Sequence, residues 1–124
     1  MTVQELYARI DGDYDEAVRR LRMEKLISRF IVRFLDDSTC STLISAWENQ
    51  DEKGAFEAAH AAKGVCANLS LPLLSDTAST ITEALRPGNE ALREKTDIPG
   101  LMQVFKEKYE STVQEIRAFA AEQE

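Results

Sequence analysis

From Met102 to Ala120 the apolar residues Met102, Phe105, Tyr109, Val113, Ile116 and Ala120 recur at steps of three and four. Such a series falls on one side of the chain only in an α-helix, where each residue advances about 100° around the axis. A long helix with one apolar stripe must bury that stripe against something else, because propensity alone does not hold it folded. The rest of the sequence says against what. Five glycines and three prolines punctuate 124 residues, and no stretch sustains the two-residue alternation of a half-buried strand. The partners are therefore helices. The predicted class is all-α: an antiparallel four-helix bundle with short additional N-terminal helices.

The boundaries follow from local chemistry. Thr2-Val3-Gln4-Glu5 is a capping box opening a short helix that ends near Ile10. Asp11-Gly12-Asp13 is a turn, and Asp13 caps a second short helix with Tyr14, Ala17 and Leu21 on one face. Between Glu24 and Leu35, the positions Leu26, Ile27, Phe30, Ile31, Phe34 and Leu35 keep the helical spacing. Asp36-Asp37-Ser38 bends the chain before a helix bearing Leu43, Ile44 and Trp47. Asp51 is a good N-cap for a helix over about 52–69, and Pro72 fits the first turn of the next. That helix carries Leu71, Leu74, Ala78, Ile81 and Leu85 and stops at Pro87-Gly88. Residues 89–97 read as a connecting loop with room for a helical turn, and Pro99 opens the last helix. Residues 1–124 read as one domain, with the short helices in 1–22 and the bundle in 24–122. The starting methionine suggests a free-standing protein. One bundle accounts for the apolar stripes, so a monomer is expected.

Charge narrows the function classes. A net charge of −7 argues against nucleic acid, which draws on basic patches to neutralise phosphates. No window approaches the roughly 18 apolar residues of a membrane span. The first residues lack a basic-then-apolar signal sequence, so the expected location is the cytoplasm. Cys40 and Cys66 form no CxxC unit and read as reduced, buried thiols.

One stretch carries chemistry: Ala59-His60-Ala61-Ala62-Lys63-Gly64, which holds the only histidine of the chain. On a helical wheel, Ala55, Ala58, Ala62, Val65, Cys66 and Leu69 cluster opposite His60. Lys53, Phe56, Lys63, Gly64 and Ala67 share its side. The helix buries the far stripe, so His60 faces water in the middle of an outward face. Gly64 is hard to dismiss as surface noise. A helix-interior glycine costs about 1 kcal/mol relative to alanine, and this helix is otherwise rich in alanine.

From Ala59 to Leu85 the chain resembles the histidine-containing phosphotransfer (Hpt) domain of two-component phosphorelays, whose signature is Ala-His-x-Leu-Lys-Gly followed by small residues. Ala59, His60, Lys63 and Gly64 match it, and Ala67-Asn68-Leu69 fits the continuation. Ala62 stands where leucine is customary, and Ser70 where glycine usually ends the helix. The resemblance implies that His60 accepts a phosphoryl group and exchanges it with an aspartate of a response-regulator receiver domain, or takes it from a sensor histidine kinase. Lys63 would steady phosphoryl charge, and Gly64 would leave the partner room. Phe56, Ala67 and Lys53 would touch the partner. The chain is then a carrier without a cofactor. Mg²⁺ would come with the receiver, because no carboxylate cluster is evident beside His60. No glycine-rich ATP loop or Walker motif is present, so a self-sufficient kinase is not expected.

Two other readings compete. Glu57-Ala58-Ala59-His60 has the Glu-x-x-His spacing of di-iron and di-manganese bundles, but those need two such motifs facing inward. The stronger rival is a non-catalytic helical adaptor that docks receiver or kinase domains without phosphotransfer.

Overall fold

The computed structural model describes residues 1–123. Several of its helices begin at side-chain caps. The Glu5 amide donates to the Thr2 hydroxyl while the Thr2 amide donates to the Glu5 carboxylate, which starts α1 (Val3–Arg9). Asp13 accepts the Glu16 amide and starts α2 (Tyr14–Leu21). Next comes α3 (Glu24–Arg33), which tightens into a 3₁₀ turn over Phe34–Asp36 before α4 (Thr39–Glu48). Asp51 caps α5 (Glu52–Asn68) through the Gly54 amide. Pro72 sits in the first turn of α6 (Pro72–Leu85), where its missing N–H breaks no helical bond. A short α7 (Glu90–Glu94) leads to α8 (Ile98–Glu122). Pro99 is in the first turn of α8 as expected, but the cap is Asp97, which accepts the Gly100 amide. Among the described residues there is no strand, and no helix is long and apolar enough to cross a membrane.

The bundle closes as a ring. α4 packs on α5, α5 on α6, α6 on α8, and α8 returns to α4. Tight links at 49–51 and 69–71 make the neighbours antiparallel. Phe105, Phe119, Leu74, Ile81 and Ile116 fill the middle, almost wholly buried. Each contributes about 1.5–3 kcal/mol of apolar burial. The inner side of α5 is thin: Ala55, Ala59, Ala62 and Cys66 are all 0% exposed. Small side chains let α4 and α6 approach α5 from both sides. Cys40 of α4 and Cys66 of α5 are free, with their sulfurs 3.9 Å apart. Their mutual hydrogen bond and their burial push the Cys40 thiol pKa up, so it stays protonated.

Two buried stripes differ from the expected ones. On α5, Val65 and Leu69 are only half-buried, while Ala59 is fully enclosed. The inner arc is rotated toward α6, the neighbour that covers Ala59. On α8, Thr112 and Phe119 are buried, whereas Val113 and Ala120 are only partly so. This helix meets α4 and α6 on one side and α1 and α3 on the other, so its buried arc is wider than a single stripe.

The N-terminal helices brace the far end of α5. The Tyr7 hydroxyl donates to the Leu69 carbonyl at 2.8 Å, and Arg20 donates to the Ala67 carbonyl. The Asp13 amide donates to the Ser70 carbonyl, and the Ser70 hydroxyl donates to the Glu16 carboxylate at 3.0 Å. The turn after α5 is thus held from outside the bundle.

Candidate functional site

His60 lies in the middle of α5 with its side chain exposed. It is there because the alanine face of the helix is drawn inward and the opposite crest is left to water. Gly64 follows one turn later and is also exposed. A Cβ placed on Gly64 would meet no heavy atom within 4 Å. Neither a close neighbour nor an unusual backbone angle asks for glycine here. Lys63 is half-buried on the flank toward α6, where Ser75 ties the two helices by donating to the Lys63 carbonyl at 3.2 Å. Its ammonium makes no ion pair among the described residues. Glu52, in the first turn of the same helix, pairs with Arg93.

The flanks of the crest differ. On the α6 side stand Phe56, Glu83 and Arg86. The Arg86 guanidinium donates twice to the Glu83 carboxylate, at 3.0 and 3.1 Å, and its carbon lies 5.3 Å from the centre of the Phe56 ring. Arg86 holds the Glu83 carboxyl below the usual carboxylate range, and the positive charge of Lys63, and of His60 when it is protonated, pulls it the same way. A single carboxylate, that of Glu83, thus lies within electrostatic reach of His60. On the α4 side lies a shallow hollow lined by the small residues Ser38, Thr39, Thr42, Gly54, Ala58 and Ala61 together with the Glu57 carboxylate. Beyond Gly64, a groove of about 220 Å³ between α3 and α5 is lined by the apolar Phe30, Phe34, Val65 and Leu69 together with Arg33, Asp37 and Asn68.

The sequence-derived partner contacts divide accordingly. Lys53 is exposed as expected. Phe56 is half-buried against the edge of the core and capped by Arg86, so it offers less apolar surface than a wet-face residue should. Ala67 is half-buried and its carbonyl is taken by Arg20. The groove with Phe30 was not anticipated, because it joins helices distant in sequence. No group of three or more His, Cys, Asp or Glu among the described residues is arranged to hold a metal ion. Glu57 and His60 both face outward, which removes the geometry of a di-metal bundle.

The site thus presents an exposed imidazole on a helix crest, with a lysine and open space one turn on. Neither a curated protein nor a solved structure matches the chain. The family model of the Hpt domain matches residues 36–119, which include α4, α5, α6 and α7 and most of α8. That is more than half of the chain, and the protein belongs to the Hpt domain family, whose role is phosphotransfer in two-component systems.

Proposed function

We propose that His60 is the phosphoryl acceptor and that the chain relays the group to or from an aspartate of a receiver domain. The observation that carries this reading is Gly64. A mid-helix glycine costs about 1 kcal/mol, no neighbour requires it, and it stands one turn from the only histidine. Clearance for an incoming protein accounts for it.

In the transfer, the lone-pair nitrogen of neutral His60 attacks the phosphorus of the receiver's aspartyl phosphate. The bond between phosphorus and the acyl oxygen breaks, and the aspartate leaves as a carboxylate. The other ring nitrogen sheds its proton to water. The N-phosphohistidine formed is itself a phosphoryl donor, so the step runs in either direction. Lys63 lays positive charge beside the phosphoryl oxygens as they pass between imidazole and carboxylate. The magnesium ion of this chemistry belongs to the receiver. Docking spreads from the crest over the α4 hollow and the Phe30–Leu69 groove, with Lys53 at the other end.

We infer that residues 1–124 act as one cytoplasmic, monomeric unit in which α1 and α2 brace the α5–α6 turn. Labelling by a radioactive phospho-receiver tests the acceptor chemistry. The label should be stable to alkali and lost in acid, as a phosphoramidate is, and should map by mass spectrometry to His60. An acid-stable label, or one on another residue, would overturn the assignment.

A further inference from the structure

The α6 flank of the crest holds two charges whose arrangement answers a question the acceptor residue leaves open: how firmly a phosphoryl group would stay on it. Half-buried Glu83 on α6 and exposed Arg86, the residue that ends it, are three positions apart and joined by two hydrogen bonds. The same guanidinium lies over Phe56, one turn before His60 on the acceptor side of α5. Arg86 is thus tethered at two points beside the crest. As long as Glu83 holds it, the pair is electrically neutral and its field at His60 is weak.

A phosphoryl group changes that balance by bringing nearly two negative charges to the crest, on a chain whose net charge is already −7. Lys63 and Arg86 then attract the group, and Glu83 repels it. The planar guanidinium fork pairs with a carboxylate or with phosphoryl oxygens equally well in geometry, so Glu83 and the phosphoryl group compete for the same donor. We propose that the Glu83–Arg86 pair sets the phosphoryl occupancy of His60, with Glu83 withholding Arg86 and so favouring release to the partner. The two are positioning residues in this role. The inference rests on the reading of His60 as the acceptor.

The two members of the pair act with opposite signs. Glu83→Gln frees the guanidinium and removes a repelling charge, so occupancy rises. Arg86→Ala removes the cation and leaves Glu83 unpaired, so occupancy falls. A pair that served only to hold α6 together would give shifts of one sign, since both changes break the same bonds.

The test uses the full chain with potassium phosphoramidate in ammonium buffer. The imidazole displaces ammonia from phosphorus, and the released ammonia takes up the ring proton. Phosphorus NMR reads the ratio of phosphorylated to free His60 at equilibrium. At low ionic strength Glu83→Gln should raise the ratio about threefold and Arg86→Ala lower it by about as much, the scale of one charge acting through a solvated surface. Both shifts should shrink in about 1 M salt, where the screening length is near 3 Å. Occupancies that move together, or do not move, overturn the role of the pair even if a phospho-receiver still labels His60. Opposed shifts in a chain that no phospho-receiver labels uphold the pair and count against the phosphotransfer reading alone.

Discussion

Gly64 and Ser70 stand on the same stretch of chain and invert the usual rule for glycine. Gly64 has an ordinary helical backbone and open space around it, so the fold has no use for a missing side chain there. Ser70 closes the turn after α5 with φ of 57°, a left-handed conformation that costs an L-residue about 1–2 kcal/mol. Glycine would sit there freely, and the family pattern expects it. What holds serine is its surroundings: it is 2% exposed, its carbonyl accepts the Asp13 amide, and its hydroxyl donates to Glu16. The difference separates two demands on one helix. Near the crest, the proposed function has stability give way to access for a partner. At the end of the helix, backbone strain is offset by bonds that pin α1 and α2 to the bundle.

The sharpest way to break this contrast is to fill the open space. Gly64→Gln should slow phosphotransfer from a receiver by about a hundredfold, the scale of a reacting pair displaced by about an ångström. Thermal unfolding should shift upward by as much as about 1 kcal/mol, because a good helix former replaces glycine. Gly64→Ala should gain the same stability with a much smaller loss of rate. A variant that melts lower would show that the glycine serves the fold after all.

Lys63→Ala should have a smaller effect, about tenfold on the transfer rate, since a half-exposed charge is partly screened. Lys63→Arg should recover part of it, with charge kept and geometry changed. Single-turnover kinetics with a phospho-receiver measures both. Equal rates for all three proteins would reduce Lys63 to a solvated surface charge.

At the other end of the helix the effects move to stability. Ser70→Ala loses the bond to Glu16 and keeps the left-handed strain, so it should destabilise by about 1–2 kcal/mol, a drop in Tm of roughly 5 °C. Ser70→Gly loses the same bond but relieves the strain, and should stay within about 1 kcal/mol of the parent protein. Calorimetry gives the order, and transfer rates should be unchanged in both. If alanine proved as stable as glycine here, backbone strain would not be what the hydroxyl offsets.

What could be read from sequence was what is local. The capping box at Thr2 and Glu5, the caps at Asp13 and Asp51, and Pro72 in its first turn all act within one helical turn. The outward face of His60, Lys63 and Gly64 also needed only the angle around a single axis. The packing register was not legible. Glu83 and Arg86 reach the crest because α6 folds back along α5, and no local signal ties them to His60. Phe56 looked free on the wheel, yet the same helix half-covers it. Thr112 and Phe119 are buried because α8 has neighbours on two sides, which a one-stripe pattern does not encode. Ser70 departs from the family pattern in the sequence itself, but its bond to Glu16 joins segments far apart in the chain.

The most direct test of His60 as acceptor is the amount of label that His60→Gln takes from a phospho-receiver, measured beside its melting curve. An exposed crest residue with no packing role should change stability by no more than about 0.5 kcal/mol, while labelling falls to background. Labelling at the parent level in a folded variant would place the phosphoryl group on another residue and contradict the assignment.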